Sequence, residues 1–217
     1  MKTLTAAQLK EMVLLVAQQV IDAKEILSEA DRNIGDGDHG IGMANGFEAV
    51  QQELLNKDFS DVYTLFATVG RTMIRVMGGA SGIIFGLLFF AGAKNQPPKP
   101  EMTTKEFAQM FQKALEEIQA KGQAKPGDKT LVDGLTPMTA ALTRSAEVGA
   151  DFEDMLMRAV AAAEAGKEAS KLYVAKFGKA KTLGERAIGF PDAGCVTLTV
   201  IANAMLQWVR SNTSELV

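Results

Sequence analysis

Apolar residues in this chain return at three- and four-residue intervals in one stretch after another, a period that leaves little room for any architecture but packed helices. Leu9, Met12, Val13, Val16 and Val20 form the first stripe. The spacing recurs at Val62, Leu65, Phe66, Val69 and Met73, at Phe107, Met110, Phe111, Ala114, Leu115 and Ile118, and at Phe152, Met155, Leu156, Ala159, Val160 and Ala163. Thr5 is placed to cap the first helix, and Thr103 with Glu106 makes the capping-box pattern that starts another near Thr104. In the last segment Val196, Leu198 and Val200 alternate like a strand, while Leu198, Ile201, Ala202, Met205 and Val209 fit a helix. That pattern runs unbroken to Trp208, longer than strands usually are, so a helix is expected.

Breaks fall at 33–40, 56–60, 78–82, 95–100, 122–128 and 178–194, most of them rich in Gly and Pro. The expectation is one all-α domain over residues 1–217, with about eight helices and no strand. Gly82 to Ala93 is the most apolar stretch, about half the ~20 residues a membrane-spanning helix needs, and it reads as a fully buried core helix. No membrane role is expected. A formal charge of −3 and a pI near 5.4 give no basic face for a nucleic-acid backbone. One cysteine, Cys195, leaves no internal disulfide, and the opening residues lack the pattern of a secretory signal, so a cytoplasmic location is expected.

Asp31, Asp36 and Asp38 place three carboxylates within eight residues, between two predicted helices. Such a cluster demands a counter-charge. Hard divalent cations with oxygen ligands supply it, and magnesium takes few carboxylates, filling its other positions with water and substrate phosphates. A calcium-binding EF-hand loop starting at Asp31 would end on Gly42, and one starting at Asp36 on Phe47, so neither ends on the glutamate that calcium needs. Gly35, Gly37, Gly40 and Gly42 allow close backbone approach, and His39 leads straight into the next helix, whose first N–H groups favour a phosphate. Taken alone, the aspartates could cap helices and His39, the only histidine, could be a structural hydrogen-bonding residue.

Two further glycine loops carry weaker signals. Gly78 to Gly82 precedes the apolar helix, where Ser81 could cap it or donate to a phosphate. The 178–194 segment offers Lys179, Lys181 and Arg186, then Asp192 before the last helix, and by itself reads as a surface loop. A P-loop, the glycine loop and catalytic motifs of protein kinases, and the serine-hydrolase elbow are all absent.

The run Asn33-Ile-Gly-Asp-Gly-Asp-His-Gly40 with Met43, Gly46 and Phe47, then Gly79-Ala-Ser-Gly82, Gly127-Asp-Lys-Thr130 with Asp133, and Gly184-Glu-Arg186 through Asp192 and Gly194, resembles the nucleotide-binding (L) subunits of bacterial dihydroxyacetone kinases. The resemblance spans nearly the whole chain. It implies a barrel of eight antiparallel amphipathic helices with the nucleotide in the loops at one end. It implies that Asp31, Asp36 and Asp38 hold two magnesium ions bridging to the phosphates of a tightly held ADP, with His39 beside them as a catalytic candidate. Further nucleotide contacts are implied at His39 itself and at Gly40, Ile41, Gly42, Ala80, Ser81, Gly122, Leu131, Lys179, Asp192, Ala193 and Gly194.

The implied reaction passes a phosphoryl group from a phosphohistidine protein of the phosphotransferase system, through bound ADP, to dihydroxyacetone on a separate subunit. In relatives that use free ATP this domain is usually fused to the sugar-binding domain, so a free-standing chain favours the phosphotransferase-dependent version. The alternatives are an ATP-dependent kinase for another small ketose such as erythrulose, and a nucleotide-loaded module that signals to a transcription regulator. Three departures stand out: Asn45 and Lys179 where the family usually has Arg, and Ala193 where it has Pro. Lysine keeps the charge and loses the bidentate fork.

Overall fold

The computed structural model describes residues 1–213. Among them are nine α-helices: α1 Ala6–Asp22, α2 Lys24–Arg32, α3 His39–Leu55, α4 Val62–Met77, α5 Gly79–Phe90, α6 Thr104–Gly122, α7 Leu131–Glu147, α8 Phe152–Ser170 and α9 Ala193–Thr213. A 3-10 segment covers Lys179–Ala187. Two three-residue strands, β1 (Thr3–Thr5) and β2 (Glu101–Thr103), pair antiparallel. These strands correct the expectation that there would be none. They are the extended segments leading into α1 and α6, each ending on the threonine that caps its helix. Capping holds Thr5 and Thr103 at ψ 163°, and the paired segments lie side by side with Leu4 and Met102 buried. Both capping boxes are complete: Gln8 answers Thr5, and Glu106 answers Thr103.

Packing partners run in a closed ring, α1 on α3, then α4, α5, α6, α7, α8 and α9, with α9 returning to α1; α2 lies outside against α3. The helices alternate in direction. The first residues of α1, α4 and α8 donate to the carbonyls of Pro100, Lys99 and Met1, gathering around the strand pair where α6 also begins. By contrast, α3, α5, α7 and α9 all begin at the opposite end, around one cavity. The expected stripes point inward, and Phe107, Phe111 and Phe152 meet edge to face and tilted, with centroids 4.9 and 5.4 Å apart.

Close approaches are made by glycine. Gly70 of α4 sits under α5, where a Cβ would come 2.4 Å from the Gly86 carbonyl. Pro137 in α7 cannot donate to the carbonyl of Asp133, and Gly166 of α8 lies against that same oxygen, where a Cβ would come 2.2 Å from it.

Helix α5 is not buried all round, contrary to the reading of its apolar run. Gly82, Phe85, Gly86, Leu88 and Phe89 are buried, but Ile83 is 38% exposed because it faces out of the ring, and Ile84 faces the cavity. The helix also starts earlier than its glycines predict, at Gly79, so Ala80 and Ser81 lie in its first turn. Ser81 makes no capping bond; Gly78, at φ 63°, is the cap position. No helix among the described residues is long and apolar enough to cross a membrane.

Candidate functional site

The aspartate loop is built around one carboxylate. Asp31 lies in the last turn of α2, where its carbonyl accepts from Ile34 and Gly35, and its Oδ2 accepts the N–H groups of Gly37 (2.9 Å) and His39 (3.2 Å). Gly37 stands at φ 80°, and a Cβ on Gly35 would come 2.4 Å from Asp31 Oδ1, so the loop wraps this side chain too tightly for larger residues. Asp36 and Asp38 project from the wrap and are exposed. One oxygen from each of the three aspartates lies within 4.8 Å of the others.

The required counter-charge comes from Lys179, whose ammonium pairs with Asp36 and, at 3.1 Å, with Asp38. Its hydrogen bond is the main reason that the Asp36 carboxyl is held below its usual range, and Asp36 followed by Asp38 raises the lysine in turn. All three groups are exposed, so the contact holds the cluster through charge and adds little stability.

His39 is half-buried, with Nε2 2.7 Å from the Thr197 hydroxyl and its ring 5.8 Å from Phe85. Burial pushes its pKa below the usual 6.5, against the opposing pull of Asp31 and Asp38, so the imidazole is neutral at pH 7. The Thr197 hydroxyl lies within hydrogen-bond distance of both His39 Nε2 and the Ala193 carbonyl, which fixes the orientation of the imidazole ring.

These groups border a cavity of about 770 Å³, within the size range of small-molecule sites. Its walls come from the aspartate loop, the α4–α5 turn, the end of α6, the start of α7, residues 177–180 and the start of α9. Asp31, Asp36, Asp38, His39, Ile41, Gly42, Ala80, Ser81, Gly122, Leu131, Lys179, Asp192, Ala193 and Gly194 all line it, as does Asn45. Gly40 does not. It is buried against α2, where a Cβ would come 2.1 Å from the Lys24 carbonyl and 2.6 Å from the Ser28 nitrogen. The 178–194 segment is therefore more than surface loop, since both its ends reach the cavity.

Four helix N-termini converge here, and their dipoles favour an anion. At α7 and α9 side chains serve the first turn: Thr130 accepts from Val132, and Asp192 accepts from Cys195 at 2.9 Å. Neither Asp38 nor Gly78, the cap positions of α3 and α5, makes a side-chain cap bond, although Asp31 takes the first N–H of α3, that of His39. The end nearest the carboxylates thus offers free N–H donors beside oxygen ligands. Away from it the wall turns apolar, with Ile84, Ile118, Val132 and Phe177. Sequence reasoning missed Thr197 and these apolar residues, because each sits inside a helical stripe or loop that looks the same whether it faces core or ligand.

Comparison with known proteins bears on all of this. The DAK2 domain family model matches residues 33–207. The chain is 34% identical over 174 residues to the ADP-binding subunit of the PEP-dependent dihydroxyacetone kinase of Escherichia coli, covering 80% of this chain and 83% of that one. It is 32% identical to the L-erythrulose kinase of Pectobacterium atrosepticum over 87% of its own length and 32% of that longer protein. Among solved structures, the dihydroxyacetone kinase of C. freundii superposes with a TM-score of 0.73 at 25% identity, over 93% of this chain and 34% of that one.

Proposed function

Since this chain belongs to the DAK2 domain family, we propose that it is the nucleotide-holding subunit of a dihydroxyacetone kinase, with ADP held as a tightly bound coenzyme through two magnesium ions on Asp31, Asp36 and Asp38. The observation that carries the reading is the clustering of the three carboxylates within 4.8 Å, at a cavity where the cap residues of the flanking helices α3 and α5, Asp38 and Gly78, make no cap bond. The donor set fits magnesium, being all carboxylate oxygen with two of three groups open to solvent. When bound, magnesium supplies positive charge to the phosphoryl oxygens and fixes their position.

The remaining work falls to the chain's own residues. The first turns of α3 and α5 present N–H groups to phosphate oxygens, and Ser81 adds a hydroxyl from the wall. Lys179 brings a cation to the same mouth. Neutral His39 offers a ring nitrogen beside the carboxylates, held in orientation by Thr197. Ile84, Ile118 and Phe177 give the base an apolar slot. A phosphoryl group then passes from a phosphohistidine protein of the phosphotransferase system, by way of the nucleotide held here, to dihydroxyacetone carried on a separate subunit.

The likeness to an L-erythrulose kinase favours a second reading, in which free ATP is the donor and another small ketose the acceptor. The decisive experiment is to purify the protein without added nucleotide, denature it, and identify what is released. About one ADP and about two magnesium ions per chain, surviving dialysis, are expected. An empty site that exchanges labelled ATP freely would move the chain to the second reading. Asp38→Asn is expected to abolish both nucleotide retention and kinase activity with partner subunits, and an unchanged variant would remove the aspartates from the mechanism.

A further inference from the structure

The motif Gly127-Asp-Lys-Thr130 contributes a helix cap to the site described so far, and its lysine has no assigned part. Lys129 holds φ at 58°, a left-handed backbone that side chains with a Cβ rarely adopt. Gln123 shares that conformation at the end of α6, an ordinary place for it, whereas Lys129 directly precedes the cap of α7. Its side chain is buried, at 2% exposure, and the ammonium donates to two main-chain carbonyls, Ser170 at 2.7 Å and Phe190 at 2.5 Å. A buried ammonium bonded to backbone is costly to place and holds its acceptors firmly.

Those two carbonyls belong to the segments behind one cavity wall. Ser170 ends α8, and its hydroxyl accepts the N–H of Asp192 at 2.9 Å. Asp192 in turn accepts from Cys195, and the Cys195 thiol donates to the carbonyl of Thr130 at 3.2 Å, closing the circuit on the residue after Lys129. Across the seam, a Cβ on Gly194 would come 3.3 Å from the Leu131 side chain, so the two walls already touch and small displacements are felt.

We propose that Lys129 is a positioning residue for the nucleotide: it pins Phe190 to the end of α8 and thereby sets where Asp192, Ala193 and Gly194 stand against Leu131. The effect on nucleotide rests on the function proposed above; the pinning does not.

Lys129→Met keeps the apolar stem and removes the donors. In the full chain, amide exchange across residues 188–196 is expected to quicken on the order of tenfold, with exchange in α1 and α4 unchanged. Release of a fluorescent ADP analogue from the magnesium-loaded protein should quicken by a similar factor, while Mn2+ binding by the aspartates without nucleotide stays the same. Ser170→Ala, which removes the acceptor for Asp192, should give the same pattern, and the double variant should release the analogue no faster than the worse single variant. Unaltered exchange at 188–196, additive release rates, or exchange that quickens throughout the molecule would each overturn the proposal. Should Lys129→Met fail to fold, Ser170→Ala decides it by exchange at Asp192 and Cys195. A wild-type protein that holds no ADP analogue would overturn the proposed function and with it the nucleotide effect, leaving the pinning to be judged on amide exchange alone.

Discussion

Asp192 shows how a single side chain in this site trades stability for placement. Loss of solvent at the cavity wall raises its carboxyl from the ordinary 3.8 to about 6, against the stabilising N–H of Cys195. The folded protein therefore keeps a proton there that the unfolded chain has released between about pH 4 and 6. Stability contributed by this group is complete below pH 4, falls as pH rises through that window and is flat above it. Urea titrations of wild type and Asp192→Asn at several pH values should show wild type losing stability relative to the variant as pH rises from 4 to 6, and a wild type that gains on the variant over that range would contradict the burial argument. The residue scale is also where the sequence was most legible. Three carboxylates in eight residues announce a charged site whatever the fold, whereas Lys129 and Thr197 gain their meaning only from partners 41 and 158 residues away.

At the scale of elements, Gly40 and Gly42 look alike in sequence and differ in the fold. Gly40 is the point where α3 crosses α2, while a Cβ on Gly42 would meet nothing within 4 Å. Gly40→Ala is expected to cost about 1–3 kcal/mol of unfolding free energy, because backbone atoms of α2 must shift. Gly42→Ala should leave stability unchanged or slightly higher and instead weaken nucleotide binding, because it faces the cavity. Denaturation and ligand titration on both variants check the contrast. Helix starts could be read from capping chemistry, which is local: Thr5 and Thr103 begin α1 and α6 as their sequence predicts. Strands of three residues show no period, so the β1–β2 pair was invisible. Helix α7 was not singled out either, since its stripe of Leu131, Leu135, Met138 and Leu142 is thin and interrupted by Pro137.

For the whole molecule, the site draws on α2, α3, α5, α7 and α9 and the segments between them, so a ligand that bridges these parts stabilises all of them together. Magnesium with ADP should raise the melting temperature by an amount that grows with ligand concentration, reaching ~2.7 kcal/mol of added stability at a hundred times the dissociation constant. Chelation with EDTA should remove most of that gain, and a melting curve indifferent to both would speak against the site. Most seams of the ring join helices close in sequence; the strand pair and the meeting of α9 with α1 join distant parts. Seen as a process in time, the ring can therefore grow hairpin by hairpin, and the loop entropy of closure falls on its last seam. His39 and Thr197 face each other across that closure, as do Asp36 and Lys179. A nucleotide seated there would act as a clasp on that closure, so its presence should be written into the rate at which the closed ring reopens.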